Sequence, residues 1–327
     1  MNRPKKDDLI IHKMMKIIFV GTTVFAVPIL EALIHKYEVL LVVTQPDRRA
    51  GRKQMLKPSP VKTFAIKNQL DVFQPENIRK EYQLLIDLNP DLIVVAAYGQ
   101  MIPSIILKLP KFHCINVHAS LLPKYRGGAP MHRAIMNGDT ETGVTVMYMA
   151  DKMDSGMILS QKTRPIQDSD TVGSIEHQLA IDGSELLLAT LPKVFDGSVI
   201  PIAQDETKVT IASNIRHEDE FIDFNKTKKQ IFDHVRALNP WPVAAAKIDN
   251  ILLKIYSVVP LSDNWESYEH HANGTIIKAN NLEVLVKVAD GIIALKYVQI
   301  AGKKPLDIKD LMNGSGKNIF TVGKIIN

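Results

Sequence analysis

An amide and an imidazole stand two residues apart in Asn116-Val117-His118, at the end of the apolar run that begins at Cys114. On a strand, a spacing of two puts both side chains on one face. Side by side they can donate to a single developing oxyanion, and the imidazole can move a proton near neutral pH. Downstream, Asp154-Ser155-Gly156 closes a polar turn before the apolar Met157-Ile158-Leu159. An aspartate followed by a small residue and a glycine can project its carboxylate into a cleft, where it would orient His118 and favour the charged ring. Between these features lie Ser120-Leu121-Leu122-Pro123 and then Gly127, Gly128 and Pro130, a backbone built to pass close to something. Each piece alone carries little, since Asn-x-His is an ordinary strand pair and Asp-x-Gly an ordinary turn. Together, in this order, they form a far more specific pattern.

The surrounding elements predict where the pair would sit. Lys16 to Val20 reads as a strand ending at Gly21, Phe25 to Lys36 as a helix, and Val39 to Thr44 as a strand buried on both faces. Helices are predicted over Pro60 to Gln69 and Ile78 to Leu88, and a strand over Asp91 to Ala97 closed by Tyr98-Gly99. Cys114 to His118 and Thr142 to Met149 are further strands, with a helix over Pro130 to Met136 between them. Thr171 to Phe195 reads as a long helix, with Gly183 and Pro192 as its points of interruption. This alternation predicts an α/β fold with a doubly wound, mostly parallel, Rossmann-like sheet. Such sheets bind ligands at the carboxyl ends of the strands, at the switch point, and Asn116 and His118 fall at such an end.

The pattern changes after about residue 205. Lys226 to Leu238 is helical and stops at Asn239-Pro240-Trp241-Pro242. Short strands follow at Ile251 to Val259, Gly274 to Ala279, Leu282 to Val288 and Ile292 to Ile300, predicting a small OB-like β-barrel. The predicted organisation is an N-terminal extension over 1–14, a catalytic domain over 15–205 and a barrel domain over 206–327. Trp241 is expected to be a packing anchor between the domains rather than a base-stacking platform. Lys226, Lys228, Lys229 and Arg236 are either a second basic patch or the solvated face of their helix.

Several function classes are disfavoured. A strand ending at Gly21 invites a dinucleotide site, but Thr22-Thr23-Val24-Phe25-Ala26 follows, without the spaced glycines or the lysine a phosphate-binding loop needs. The single cysteine, Cys114, rules out an intramolecular disulfide and a Cys-rich zinc site, and in its apolar run it reads as a small buried hydrophobe. No apolar run approaches the ~20 residues of a spanning helix. The charged first 14 residues lack a secretory apolar stretch, so a cytoplasmic location with no membrane partner is expected. Of the 327 residues, 46% are hydrophobic and 23% charged, and the net charge is +5. Between Gln45 and Lys62, six cations (Arg48, Arg49, Arg52, Lys53, Lys57 and Lys62) face Asp47 alone, a local surplus equal to the charge of the whole chain. Such a segment attracts phosphate-rich partners; taken alone it reads as a solvated loop.

The combined pattern resembles the folate-dependent formyltransferases, most closely those that act on methionyl-tRNA. The resemblance runs from Met15 onward and includes Thr44-Gln45-Pro46-Asp47-Arg48, Pro58-Ser59-Pro60-Val61-Lys62, Ala97-Tyr98-Gly99, Cys114 to Pro130, Glu141-Thr142-Gly143-Val144-Thr145, Asp154-Ser155-Gly156 and Asn239-Pro240-Trp241-Pro242. It implies catalytic roles for Asn116, His118 and Asp154. It further implies folate contacts at Ser120, Leu121, Leu122, Pro123, Tyr98 and Gly99. By the same resemblance, tRNA contacts fall on Arg48, Arg49, Arg52, Lys53, Lys57 and Lys62. The implied donor is 10-formyltetrahydrofolate, the acceptor is initiator methionyl-tRNA, and the C-terminal domain is an open barrel that helps hold tRNA. No metal and no obligatory protein partner are implied. Two departures stand out: Thr23-Val24-Phe25 where the family often has Pro-Asp-Phe, and Met153 rather than leucine before Asp154. Transfer to an amino sugar nucleotide, to glycinamide ribonucleotide or to water is the alternative within the class. A non-catalytic RNA-binding protein is the alternative outside it.

Overall fold

The computed structural model describes residues 15–50, 55–262 and 266–327, without the side chain of Ala50. The extension over 1–14 and the candidate tRNA contacts Arg52 and Lys53 lie outside the described residues. The chain forms two compact units. The first takes in the described residues up to Pro130, with 141–165 and 176–213; the second takes in 131–140, 166–175 and 214–327.

The first unit is built on a seven-stranded sheet. Its members are β1 (Lys16–Gly21), β2 (Glu38–Val43), β5 (Val72–Phe73), β6 (Leu92–Ala96), β7 (Cys114–His118), β9 (Glu141–Tyr148) and β10 (Ile158–Pro165). The remaining early strands, β3 (Arg48–Ala50) and β4 (Met55–Lys57), pair only with each other, and β8 (Arg126–Gly127) stands apart from the large sheet. The strand order is β10-β9-β7-β6-β1-β2-β5. The run β7-β6-β1-β2-β5 is parallel, while β9 and β10 are antiparallel. The chain leaves β1 in one direction along the sheet and returns at β6 on its other side, so the switch point lies between β1 and β6. The β-branched residues of β6 and β7 are buried throughout, as strands covered on both faces require.

Helix α1 (Ala26–Ile34) packs close to the end of β1. There Gly21 is demanded by contact, because a Cβ would lie 2.8 Å from the Phe19 ring and 2.9 Å from both Ala26 Cβ and the Ala96 carbonyl. Helices α2 (Pro60–Lys67), α3 (Gln83–Leu88), α4 (Ser104–Leu107) and α5 (Pro130–Met136) are short. The predicted start of α3 at Ile78 is too early: the Ile78 N–H donates to Gln100 Oε1 at 3.0 Å, and helix begins only at Gln83. Helix α6 (Val172–Phe195) runs unbroken through Gly183 and Pro192. Gly183 is a contact residue here, since its Cβ would lie 2.9 Å from Val117 Cγ1. Val117 thus faces the helix, and its neighbours Asn116 and His118 face the other way.

A buried carboxylate ties α6 to β10. Asp182 is 1% exposed and accepts from Arg164 Nε at 2.5 Å, Arg164 Nη2 at 2.9 Å and Lys162 Nζ at 2.6 Å. Burial alone would raise its pKa, but the hydrogen bonds from Arg164 and Lys162 outweigh it and hold the group below the ordinary value. The stability it adds is therefore full above the unfolded-state pKa and is lost as pH falls through the folded-state pKa. Asp182→Asn is expected to destabilise the protein near neutral pH by on the order of 2 kcal/mol, less than for a fully buried pair because both cations keep solvent contact. Thermal unfolding followed across pH should show that difference vanish at acid pH.

The second unit is an antiparallel sheet around its own core. It contains helix α7 (Lys228–Ala237) and strands β12 (Ala244–Ile248), β13 (Ile251–Leu261), β14 (Ile276–Ala279), β15 (Val284–Val288), β16 (Gly291–Ile300) and β17 (Leu306–Asp307); a short β11 (Ile211–Ala212) belongs to the first unit. The order is β12-β13-β16-β15-β14, with β17 on β16; among the described residues β12 and β14 do not pair directly, but the C-terminal residues bridge them, Ile325 pairing with Thr275 and Asn327 exchanging backbone hydrogen bonds with Lys247. Ile231 and Val235 of α7 share one buried apolar cluster with Ile255, Val286 and Ile293 of the sheet. Two expectations are corrected here. Trp241 is 71% exposed, so it is not a buried anchor. The cations of α7 do not form a patch: Arg236 is buried and pairs with Asp233, Lys229 pairs with the same carboxylate, and Lys228 Nζ donates to the Leu261 carbonyl. No helix among the described residues is long and apolar enough to cross a membrane.

Candidate active site

Asn116 and His118 end β7, beside β6 and on the face opposite α6. Asp154 lies in the turn between β9 and β10, and it reaches both of them. Its Oδ1 accepts from Asn116 Nδ2 at 3.4 Å, and its Oδ2 lies 3.8 Å from His118 Nδ1. All three side chains are largely buried, with Asn116 9%, His118 6% and the Asp154 side chain 15% exposed. The fold thus brings the amide, the imidazole and the carboxylate together.

The geometry adds what side-chain spacing could not supply. His118 Nε2 lies 2.9 Å from the Tyr125 carbonyl. A carbonyl only accepts, so Nε2 carries the proton and Nδ1 is the nitrogen turned toward Asp154. Tyr125 holds a left-handed φ of 62°, which presents that carbonyl to the ring. Two residues later the Gly127 N–H donates to Asp154 Oδ2 at 2.9 Å. Gly127 has φ 126°, and a Cβ would lie 2.6 Å from the Ala212 carbonyl, so only glycine lets the backbone turn its amide to the carboxylate. Asp154 itself has φ 49°, an uncommon conformation for a non-glycine residue and one that clusters at functional sites. These helpers are backbone groups, and of them only Gly127 leaves a residue-type signal, in the Gly127-Gly128 turn.

The Ser120–Pro123 segment is fastened from below. Thr145 Oγ1 donates to the Ser120 carbonyl at 2.6 Å and accepts from the Leu122 N–H at 3.2 Å. Gln161 Nε2 donates to the Leu122 carbonyl at 2.8 Å. Leu122 is buried while Leu121 and Pro123 stay half-buried, an apolar edge that is rigid and partly open. Across the sheet mouth, Ala97 (φ 44°) and Gly99 (φ 90°) bend the loop after β6. The Tyr98 carbonyl there accepts from Thr22 Oγ1 at 2.9 Å and from Gln45 Nε2 at 3.3 Å. The Tyr98 ring is buried, which pushes its phenol up to about 12, and its hydroxyl has no partner among the described residues. Cys114 is likewise buried, its thiol pushed up to about 12 by burial, as suits a core residue rather than a nucleophile.

The basic stretch is not a plain loop. β3 and β4 form a two-stranded ladder in which Arg48 stands opposite Lys57 and Arg49 opposite Leu56. Arg48 Nη2 also donates to Gln45 Oε1 at 3.3 Å. Lys62 is committed elsewhere, with its Nζ 2.8 Å and 2.9 Å from the two oxygens of Asp47.

Comparison with known proteins agrees with this architecture. Residues 15–191 match the formyl transferase family, and residues 214–316 match the formyl transferase C-terminal domain. The methionyl-tRNA formyltransferase of Enterococcus faecalis (strain ATCC 700802 / V583) is 48% identical over 316 residues, 95% of this chain and 100% of that protein. That of Staphylococcus aureus (strain bovine RF122 / ET3-1) is 45% identical over 316 residues, 96% of this chain and 100% of that protein. Among solved structures, the sugar 3N-formyl transferase WlaRD, in the presence of dTDP and 5-N-formyl-THF, superposes with a TM-score of 0.63 at 21% identity, covering 89% of this chain and 99% of that one. HypX from Aquifex aeolicus in complex with tetrahydrofolic acid gives 0.62 at 16% identity, covering 93% of this chain and 48% of that one, and both likenesses concern the fold. The chain therefore belongs to the formyl transferase family, among its methionyl-tRNA formyltransferases.

Proposed function

We propose that this chain is a cytoplasmic enzyme that transfers a formyl group from 10-formyltetrahydrofolate to the free α-amine of methionyl initiator tRNA. The single observation that carries the chemical reading is the convergence of Asn116, His118 and Asp154. The amine attacks the formyl carbon, a C–N bond forms, and the carbonyl oxygen becomes an oxyanion. Asn116 Nδ2 and His118 Nδ1, when protonated, donate to that oxygen. Asp154 takes a proton from the attacking nitrogen and passes it toward the folate nitrogen as the bond to that nitrogen breaks. The Tyr125 carbonyl keeps Nε2 out of the reaction, so the ring acts through Nδ1. Ser120, Leu121, Leu122 and Pro123 form one edge of the folate site, with the Tyr98-Gly99 loop at the mouth of the sheet. The rigid, half-open apolar edge at Leu121 and Pro123 suits the flat ring of a pterin.

The same reading assigns the β3–β4 ladder to the acceptor. Arg48 directly opposite Lys57 is a like-charge pair, unfavourable on its own and relieved by an anion. Phosphates of tRNA supply that anion to Arg48, Arg49, Arg52, Lys53 and Lys57, while Lys62 enters as an ion pair with Asp47. Replacing Arg48, Arg49, Arg52 and Lys53 by glutamine should weaken tRNA binding and flatten its salt dependence, by ~0.7–0.9 in the log–log slope for every phosphate that is no longer neutralised. Filter binding across a salt series measures this, and an unchanged slope refutes the assignment. Lys62→Gln should change the slope less.

The acceptor is tested by offering 10-formyltetrahydrofolate with methionyl initiator tRNA, and separately with glycinamide ribonucleotide. Transfer to the tRNA is expected; transfer only to the ribonucleotide overturns the assignment.

A further inference from the structure

Residues 192–213 separate the two family-matched regions and belong to neither match, a connector by that measure. Its last part instead lies against the catalytic turn. β11 pairs in parallel with β8, Ile211 opposite Arg126 and Ala212 opposite Gly127. Thr210 receives the Tyr125 N–H on its hydroxyl at 2.8 Å and the Arg126 N–H on its carbonyl at 2.9 Å. Thus the connector braces the three residues Tyr125-Arg126-Gly127, whose backbone fixes both the His118 ring and the Asp154 carboxylate.

One side chain of the connector reaches further. Gln204 Nε2 donates at 2.8 Å to the Asp154 carbonyl and at 2.8 Å to the Gly156 carbonyl, clasping the turn on both sides of Ser155. Its Oε1 accepts at 2.9 Å from Nε of Arg126, which is 2% exposed. That guanidinium is anchored in turn by Glu206, Nη2 to Oε1 at 2.7 Å and Nη1 to Oε2 at 3.4 Å. A left-handed aspartate persists only where its surroundings over-determine it. Gln204 supplies that determination from outside the turn, and through Arg126 it links the turn to the residue that follows Tyr125, whose carbonyl orients His118.

Resting on the catalytic reading of Asp154 given above, we propose that Gln204 is a positioning residue for formyl transfer. It acts through Asp154: both amide hydrogens hold the turn that aims the carboxylate, and the amide oxygen ties that turn to buried Arg126. The connector is thereby part of the active-site framework rather than a spacer.

The test is a double-mutant cycle in the full-length protein. Gln204→Met keeps the volume and removes both donors. Gln204→Glu keeps an oxygen for Arg126 and also removes both donors. Each should lower kcat by on the order of 10²-fold, the scale expected when a reacting group is misplaced by about 1 Å, with the folate KM within about twofold of wild type. In an Asp154→Ala background, measured at high enzyme concentration, Gln204→Met should change kcat by less than about twofold, because the group it positions is gone. If Gln204→Met costs the same factor with and without Asp154, Gln204 acts generally on the fold and the proposal is wrong. If Asp154→Ala alone leaves kcat near wild type, the catalytic reading fails instead. Circular-dichroism melting of each variant identifies any that merely unfold, and Gln204→Glu then decides if Gln204→Met is among them.

Discussion

His118→Ala is expected to lower kcat by ~10²-fold or more, the usual loss when one preorganised donor to an oxyanion is removed. Nδ1 is the only ring nitrogen left for chemistry once Nε2 is bound to the Tyr125 carbonyl, and alanine supplies no replacement. Asn116→Ala should fall in the same range, because its amide is the second donor beside Asp154. The double variant should be little worse than the more damaged single one, since groups acting on one intermediate are not additive. Folate affinity should hold within about threefold, because neither side chain belongs to the Ser120–Pro123 edge and each donates to the formyl oxygen only as the oxyanion forms. Steady-state formylation with methionyl initiator tRNA, titrating each substrate in turn, measures both quantities.

Gly156→Ala is expected to be nearly as severe in activity and worse in stability. A Cβ built on Gly156 would sit 1.8 Å from the Tyr148 carbonyl, a backbone atom at the end of β9 that cannot swing aside as a side-chain tip does. The chain must move instead, at a cost of about 3 kcal/mol or more. The displaced backbone is the turn bearing Asp154, and the Gly156 carbonyl is also one of the two that accept from Gln204. Activity should therefore drop by ~10²-fold even in the fraction that stays folded. Gly197→Ala is the matching control: Gly197 has nothing within 4 Å of its Cβ position, and it bears only the strain of a φ of 76°. It should lose about 1 kcal/mol and keep its turnover. Denaturant titration with activity assays on the same samples separates the two effects.

The grouping of the candidate site's side chains was legible because it sits on regular structure and on residue types. Asn116 and His118 alternate with Val117 on a buried strand, and period two alone put them on one face. Asp154 could be named as a partner because Asp-Ser-Gly is a recognisable turn, though spacing could not say that it spans 38 positions to touch Asn116. The glycine turn at Gly127 hinted at a close backbone approach, but what the groups around the three do was invisible for a definite reason. The Tyr125 carbonyl and the Gly127 N–H exist at nearly every residue, and only the left-handed turns at 125 and 127 aim them. Gln204 lies 50 positions from Asp154 in a stretch without periodicity, where nothing distinguishes it from any surface glutamine.

The fold shows the same division. Buried apolar runs marked β6 and β7 and the second half of β2 well, because both faces of the strand are covered there. The β3–β4 ladder escaped notice, since its exposed, charged residues show none of the alternation that burial imposes. Gly183 and Pro192 looked like breaks in α6, yet Gly183 is there to admit Val117, and Pro192 is carried within the continuing helix. On α7, formal charge suggested a basic face; Asp233, buried at 2% exposure, draws Arg236 and Lys229 onto itself instead.

A single-turnover reaction with 10-formyltetrahydrofolate and methionyl initiator tRNA, followed by mass spectrometry of the aminoacyl ester, tests most directly whether this trio of side chains performs the transfer. Wild type should yield formyl-methionyl-tRNA, and the rate of its appearance should fall by ~10²-fold or more with Asn116→Ala or His118→Ala. No formylated ester from wild type, or single-turnover rates for both variants within about threefold of it, would contradict the account.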